Sequence, residues 1–277
     1  MTLNLIFLIL SLGGSLGLWL GLSSFSAWWL LLLIPAFYVG VTFSYFFVLW
    51  IVSLFLPRRE PKHTSSVCRF FVWISMNWLM LVMGIRVRLT GGEKLPECPC
   101  VIVSNHRSDF DPMTMLAVIR RKLVYISKEG NFKIPIVGPF IRHAGFISID
   151  RGNGVRAVRT LNKAAERMKA EGLDIGIYPE GTRSKNCKLL RFKTGAFYLA
   201  QNADAPVVIM ATRGTEGISK KSPFRRLNVE LNVIEVIDRE TVKNTPIEEL
   251  AKYVRDVVER NLPDLPMDAE EAAGENA

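Results

Sequence analysis

Two long uncharged stretches open the sequence, and their pattern predicts membrane helices. The first runs from Asn4 to Leu22 and the second from Ala27 to Leu56, with the four residues SSFS between them. Each stretch can cross about 30 Å of hydrocarbon, which takes about 20 helical residues. The short connection predicts a helical hairpin that either crosses the membrane and returns or enters a single leaflet. Pro35 is a point at which the second helix can bend.

The sequence around these stretches predicts a retained anchor rather than a cleaved signal peptide. MTLN carries no positive charge, and apolar sequence continues well beyond the length of a signal peptide. The first charges after the second stretch lie in PRREPKH, and basic residues beside a span favour the cytoplasmic side. We expect residues 1–66 to be a membrane-anchoring hairpin with a basic linker, and the rest of the chain to lie at the cytoplasmic face of the cell membrane.

Beyond the anchor, short apolar runs alternate with amphipathic segments. Residues 67–85 predict a helix that is either buried on the core or lies at the membrane interface. The strand-like runs that follow are RVRLT, CVIVS, LVYIS, GFISID, DIGIY, PVVIMAT and LNVELNVIEVID. Strands interleaved with helices predict an α/β fold, a mixed, largely parallel sheet flanked by helices, over residues 67–262. The acidic residues 263–277 have the composition of a disordered tail.

Charge and cysteine content narrow the classes of partner. The formal net charge of +9 suits nucleic acid, anionic lipid or an acidic carrier. The apolar anchor favours lipid, and no basic patch interleaved with aromatic residues is present, so we expect no nucleic-acid partner. The cysteines at 68, 98, 100 and 187 form no paired CxxC clusters, which predicts free thiols and no metal site.

The segment NHRSDFDP, which follows the apolar run CVIVS, is the first candidate for chemistry. His106 lies where ligands gather in α/β sheets, beyond the carboxyl end of a strand. A carboxylate such as Asp111 on one imidazole nitrogen leaves the other free to take a proton from a substrate hydroxyl. The structural alternative is that Asp111 only starts a helix together with Pro112. Asp109 is read as a turn residue.

A second candidate segment is YPEGTRS, at the end of another predicted strand. Gly181 permits a tight turn from which Glu180 and Arg183 project, although the same letters also describe an ordinary turn. Arg151 and Lys193 are further cations that can converge with Arg183 on a phosphate, or remain solvated individually.

Four blocks in this order resemble the glycerophospholipid acyltransferases, typified by 1-acyl-glycerol-3-phosphate acyltransferase. They are N-H-x4-D at Asn105, His106 and Asp111; F-I-x-x-x-R at Phe146, Ile147 and Arg151; P-E-G-T-R-S at 179–184; and the proline-bearing apolar strand at 205–208. The resemblance covers roughly residues 85 to 215. One departure is Ile209, where the family strand often has a second proline.

The resemblance implies a role for each matching residue. His106 would be the general base and Asp111 the residue that orients it. The acceptor and its phosphate would be bound by Arg151, Glu180, Gly181, Thr182, Arg183 and Lys193. The implied reaction transfers a fatty acyl group from acyl-CoA or acyl-carrier protein to lysophosphatidate, giving phosphatidate at the bilayer. No metal and no cofactor other than this thioester co-substrate is implied.

Two alternatives stay open from the sequence. Glycerol 3-phosphate or a lysophospholipid with a larger headgroup can be the acceptor, because the same motif activates any such hydroxyl. From a different class, the chain can be a catalytically silent lipid-binding or scaffold protein on the same fold. The intact pair of His106 and Asp111 argues against a silent protein.

Overall fold

The structure is a computed structural model that describes residues 2–21, 26–150, 152–184, 188–221 and 226–262. Arg151 and the predicted tail at 263–277 lie outside the described residues, and the boundaries at 66 and 262 stay predictions. Within the described ranges, the apolar runs form one seven-stranded sheet with helices against it. The α/β prediction is confirmed.

Each of the strand-like runs forms a strand. The strands are β1 (Ile85–Thr90), β2 (Val101–Ser104), β3 (Leu123–Lys128), β4 (Ile147–Ile149), β5 (Asp174–Ile177), β6 (Val207–Arg213) and β7 (Leu227–Ile237). Every residue of β2 and all but the last of β6 are buried, which explains their unbroken apolar sequence. Strands covered on both faces have no solvent side that would require polar residues. In β7, by contrast, buried and exposed positions alternate over its first half.

The sheet has the order β1-β7-β6-β2-β5-β3-β4. Neighbouring strands from β6 to β4 are all parallel, whereas β7 runs antiparallel to β6 and parallel to β1. The sheet is therefore mixed and largely parallel, as predicted. Parallel pairing brings the carboxyl ends of β2, β3, β5 and β6 to one edge, where ligands bind in open α/β sheets.

The helices of the described residues cover the sheet and form the anchor. They are α1 (Thr2–Gly21), α2 (Leu30–Phe55), α3 (Ser66–Val82), α4 (Asp111–Val118), α5 (Val137–Ala144), α6 (Gly154–Glu171), α7 (Gly195–Ala203), α8 (Ile218–Lys221), α9 (Arg239–Asn244) and α10 (Ile247–Arg260). α3 contacts α4 and α5, while α7 contacts α6, α9 and α10. These two groups bury the central strands.

The two N-terminal apolar stretches form α1 and α2, which pack against each other as the hairpin prediction requires. By length and composition, both helices can cross a membrane. Their large apolar side chains are widely exposed, including Leu20, Phe43 and Phe55. A contiguous apolar surface of this kind marks a membrane or protein contact, which fits the predicted membrane association.

The helix predicted at 67–85 is α3, and it joins the hairpin to the sheet. On one side, Leu3 and Phe7 of α1 pack with Ile74. On the other side, Asn77 Nδ2 donates a hydrogen bond to the carbonyl oxygen of Ala117 in α4, at 3.1 Å. The anchor and the sheet are therefore linked by packing and by a hydrogen bond through α3.

Candidate active site

The candidate site begins where β2 ends at the carboxyl edge of the sheet. The side chain of Asn105 fixes this strand end to β6 through the backbone of Thr212. Asn105 Nδ2 donates to the Thr212 carbonyl oxygen at 2.9 Å, and Asn105 Oδ1 accepts from the Thr212 N–H at 2.8 Å. Both residues are fully buried. The next residue, His106, thus starts from a rigid position.

His106 and Asp111 contact each other directly, because the loop between them folds back. His106 Nδ1 lies 2.8 Å from Asp111 Oδ2. The same oxygen accepts hydrogen bonds from the N–H groups of Arg107, at 2.7 Å, and Ser108, at 2.9 Å. The Thr215 hydroxyl, from the loop after β6, donates to Asp111 Oδ1. Every partner of this carboxylate therefore holds it in the orientation that faces the imidazole.

Asp111 is the first residue of α4, yet its carboxylate does not cap that helix. The N-cap position is occupied by Phe110, which makes no side-chain capping hydrogen bond. A capping aspartate would accept from the second or third N–H of its own helix. Here the acceptor atoms face the preceding loop and His106 instead. Helix initiation alone thus does not explain the aspartate.

His106 lines a cavity. A carboxylate beside Nδ1 places the imidazole proton on that nitrogen and leaves the lone pair on Nε2. The His106 side chain is 13% exposed, whereas that of Asp111 is completely buried. The Tyr178 ring stacks on the imidazole with its centroid 4.3 Å away and an interplanar angle of 14°. Within the described part of the chain, no residue hydrogen-bonds Nε2, so it can accept a proton from a ligand.

Glu180 braces the loops from behind His106. Its Oε1 accepts from the His106 N–H at 2.7 Å, and its Oε2 accepts from the Leu190 N–H at 3.0 Å. Burial raises the pKa of Glu180, although these two N–H groups act in the opposite direction. The turn then passes through Gly181 at φ 71°, where an added Cβ would lie 2.8 Å from Lys193 Nζ. The positive φ favours a glycine there, whereas the flexible end of the Lys193 side chain could move away from an added Cβ.

The rim of the cavity is polar and carries charges. Arg183 Nη1 donates to Asp109 Oδ2 at 2.6 Å, and both side chains are more than half exposed. Thr182 lies beside them, and Lys128 at the end of β3 lines the same cavity. An exposed ion pair of this kind is worth about 0–1 kcal/mol, so an incoming anion can compete for the guanidinium at little cost.

The cavity has a volume of about 520 Å³. Beyond the rim its wall is largely apolar and comes from α3, α4, α5 and β3, with the segments that precede α5 and β4. The apolar members are Val72, Met76, Met113, Leu116, Ile126, Ile134, Val137, Ile141 and Phe146. The polar rim beside His106 can thus hold a headgroup, while the apolar interior can hold a hydrocarbon chain.

The structure brings most of the predicted site residues together. His106, Thr182 and Arg183 line the cavity, Asp111 and Glu180 hydrogen-bond His106, and Gly181 lies in the turn between Glu180 and Thr182. Lys193 lies against the turn at Gly181 but is not among the residues that line the cavity. Arg151 lies outside the described residues. The catalytic and substrate-binding roles of all these residues stay predictions.

Sequence reasoning missed four residues of this site. Tyr178, Lys128 and Thr215 each lie at or just beyond the end of β5, β3 or β6, the same signal that singled out His106. Asp109 was read as a turn residue, but it pairs with Arg183 at the rim. In the described ranges, no group of three or more His, Cys, Asp or Glu side chains is placed to hold a metal.

Known proteins are similar to this sequence over most of its length. The profile of the family described as Acyltransferase matches residues 86–213. The 1-acyl-sn-glycerol-3-phosphate acyltransferase beta of Homo sapiens is 33% identical over 205 residues, which cover 73% of this chain and 72% of the human protein. The chain belongs to the 1-acyl-sn-glycerol-3-phosphate acyltransferase family.

Two bacterial members of this acyltransferase family extend the likeness to more of the chain and to the fold. The 1-acyl-sn-glycerol-3-phosphate acyltransferase of Escherichia coli is 29% identical and covers 81% of this chain and 90% of its own length. The crystal structure of the 1-acyl-sn-glycerophosphate acyltransferase from Thermotoga maritima has a TM-score of 0.59 at 28% identity, covering 78% of this chain and 86% of that one. The chain is thus an acyltransferase with the sheet architecture of its family.

Proposed function

We propose that this acyltransferase moves a fatty acyl group from an acyl thioester to the free sn-2 hydroxyl of 1-acyl-glycerol 3-phosphate, giving phosphatidate. The observation that carries the proposal is the position of His106. Its Nδ1 is held by a buried carboxylate at 2.8 Å, and its side chain lines a cavity that has both charged and apolar lining residues. Related proteins named for this reaction support the choice of acceptor.

In the proposed reaction, His106 acts as the general base. Nε2 takes the proton of the sn-2 hydroxyl while the hydroxyl oxygen attacks the thioester carbonyl carbon. The imidazolium that forms is stabilised by Asp111, which is itself fixed by Thr215 and two backbone N–H groups. The carbon–sulfur bond then breaks, and the departing thiolate receives the proton from Nε2. Ester and free thiol are the products, and no covalent acyl-enzyme is formed.

The cations of the rim are the proposed contacts for the substrate phosphate. Arg183 pairs with the exposed Asp109, and Lys128 lines the same cavity as Arg183. A guanidinium binds a phosphate in a bidentate manner, and an ammonium adds a point charge. By the family resemblance, Arg151 and Lys193 are further phosphate contacts. Glu180, Gly181 and Thr182 would shape the acceptor site, Glu180 by bracing the loop of His106 from behind.

The anchor gives the proposed reaction its location. The acceptor and product are membrane lipids, and an apolar hairpin holds the cavity at the bilayer so that their chains need not enter water. Arg58, Arg59 and Lys62 follow the second apolar helix, which supports placing the catalytic domain on the cytoplasmic face of the cell membrane. Both acyl-CoA and acyl-carrier protein are acidic donors that suit the basic chain.

The test is acyl transfer by detergent-purified, full-length protein from a labelled acyl thioester. Lysophosphatidate, glycerol 3-phosphate and lysophosphatidylcholine are compared as acceptors, each with acyl-CoA and acyl-carrier protein. We expect transfer to lysophosphatidate, reduced about 10²- to 10⁴-fold in His106→Ala, the usual range for loss of a general base. The matched control is His63→Ala, since His63 is an exposed histidine of the linker. Absence of transfer to every acceptor would instead favour a silent lipid-binding protein.

A further inference from the structure

A second cavity lies where the last turns of α2 meet the segment between β3 and α5. Its volume is about 490 Å³. The residues that line it are Trp50, Ser53, Leu54, Arg58, Phe132, Lys133, Ile134, Pro135, Ile136, Pro139 and Arg142. Trp50 and Leu54 belong to the apolar helix that forms half of the anchor. The cavity therefore begins on the membrane-associated helix and extends onto the sheet domain.

The charges around this cavity have one sign. Its lining includes three cations, Arg58, Lys133 and Arg142, and no carboxylate. The Arg142 guanidinium lies over the Phe132 ring, 5.1 Å from its centroid. Within the described ranges neither Arg58 nor Arg142 has an ion pair, whereas Lys133 pairs with the exposed Glu129 at 2.9 Å. An anion in the cavity would thus meet two guanidinium groups that carry no carboxylate partner.

The two cavities are adjacent. Ile134 lines the cavity of His106 as well as this second one. Two residues later, Ile136 has φ 63° and ψ −62°, and the Val137 N–H donates to the Pro135 carbonyl oxygen at 2.6 Å. This is the geometry of a γ-turn of the rare, strained kind, which a branched side chain adopts only when its surroundings enforce it. The turn directs the chain around the second cavity and into α5.

We propose that the second cavity binds the phosphate headgroup of an anionic glycerophospholipid, with the lipid chains lying along α2. Arg58 and Arg142 bind the phosphate, while Trp50 and Leu54 contact the upper part of the chains. Basic pockets beside membrane helices recognise lipid headgroups in this way, and guanidinium groups suit phosphate oxygens. The inference goes beyond the proposed function, since binding at this site needs no turnover. The bound lipid headgroup would lie beside the cavity of His106, since Ile134 lines both cavities.

The test uses Trp50 as a reporter that lies within the site. Full-length His106→Ala protein in detergent is titrated with phosphatidate carrying brominated acyl chains, and tryptophan quenching is recorded. The same titration of a His106→Ala, Trp50→Phe variant is subtracted to isolate the Trp50 signal. Phosphatidylcholine with the same brominated chains measures apolar contact alone. Inorganic phosphate, added as a competitor, separates a soluble anion from a lipid headgroup.

We expect phosphatidate to quench Trp50 at lower concentration than phosphatidylcholine. Arg58→Gln with Arg142→Gln should raise its half-saturating concentration about tenfold, because two charge-assisted hydrogen-bonding groups are lost. The matched control is Arg86→Gln with Arg88→Gln, two exposed arginines on β1 at the opposite edge of the sheet, which should change nothing. Should Arg142→Gln disturb the packing on Phe132, Arg58→Gln alone should still weaken binding severalfold.

Two outcomes would overturn the inference. Equal quenching by both lipids, or no effect of the two arginines, would reduce the site to unspecific apolar contact. Competition by inorganic phosphate at the concentration at which phosphatidate binds would assign the site to a soluble anion. Neither outcome bears on acyl transfer, because the histidine variant removes turnover from the measurement. Conversely, an inactive wild-type protein that still binds phosphatidate through Arg58 would contradict only the proposed function.

Discussion

The two ends of the parallel sheet each hold a buried aspartate, and their partners differ in one decisive respect. At the carboxyl end, Asp111 contacts His106, a cavity-lining group that can gain and lose a proton. At the amino end, Asp174 contacts Arg121 through two atoms, with Nη2 to Oδ1 at 2.9 Å, and accepts from the Cys100 N–H at 3.0 Å. A guanidinium stays charged at every physiological pH, so this second pair has no proton to transfer.

The surroundings of the two aspartates extend the contrast. Two further N–H groups of Arg121 donate to the carbonyl oxygens of Pro96 and Cys98, so most of its planar group is held by protein. Burial, with the nearby Asp174, raises the pKa of the Cys100 thiol and keeps that cysteine unreactive. Depth of burial alone thus does not distinguish Asp111, the proposed catalytic carboxylate, from Asp174. The distinguishing feature is a partner that can gain and lose a proton.

The largest expected effect is that of Asp111→Asn on activity. The amide oxygen can still accept from the N–H groups of Arg107 and Ser108, but it no longer stabilises the imidazolium of His106. Acyl transfer should fall about 10²- to 10⁴-fold, as for loss of a general base, while the protein remains folded. Steady-state rates and the circular dichroism melt of the same preparation are the measurements. A folded variant with unchanged turnover would show that the aspartate is only structural.

The equivalent substitution at the other aspartate, Asp174→Asn, should lower stability and leave the rate of acyl transfer unchanged. It leaves the guanidinium of Arg121 without its charge partner in a mostly buried position, and breaking such pairs costs about 3–5 kcal/mol when burial is complete. Because Arg121 retains some solvent contact, we expect about 2–3 kcal/mol, or a thermal midpoint lower by about 5–10 °C. Activity per folded molecule below the transition should match the wild type. A selective loss of activity would remove the distinction between the two ends.

The partner of Asp111 could be predicted from the sequence, whereas the partner of Asp174 could not. His106 and Asp111 stand out because polar residues directly after a buried strand have no role in the core, and the parallel sheet brings such strand ends together. The partnership of Arg121 with Asp174 spans 53 positions, and neither residue lies in a motif. Such pairing depends on the register of β3 with β5, which places Leu123 beside Asp174. No local pattern encodes that register.

The same limit applies to the details of the active site. The pairing of Asp109 with Arg183 depends on two loops that meet only after β2 and β5 are side by side in the sheet. The hairpin and the strands were predictable because hydrophobic periodicity is local. Whether α3 would be buried or interfacial was left open by its sequence, because aromatic apolar residues suit both environments. The contacts of Ile74 and Asn77 on opposite sides of α3 show that it joins the hairpin and the sheet domain.

A smaller effect is expected for Glu180→Gln, and it should depend on pH. Since burial raises the pKa of Glu180 above 4.5, the folded state binds its proton more tightly than the unfolded state. The stability of the wild type relative to Glu180→Gln should therefore be greatest below pH 4.5 and decline as pH rises through the raised pKa. Thermal unfolding of both proteins from about pH 4 to 8 measures this difference. The ordinary pKa of a glutamate carboxyl represents the unfolded state. A difference that grows with pH would contradict the sign.

The smallest expected effects concern Tyr178, which separates the contribution of a ring from that of a hydroxyl. The ring stacks on His106 at 4.3 Å, while burial raises the pKa of the phenol and keeps it neutral. Tyr178→Phe retains the ring, so acyl transfer should stay within about twofold, since the π-face supports the imidazolium. Tyr178→Leu removes that face and should lower kcat about three- to tenfold, as expected for a contact worth about 1 kcal/mol. Rates of both variants at saturating acceptor make the comparison. If Tyr178→Phe were as slow as Tyr178→Leu, the hydroxyl rather than the ring would be the group that assists His106.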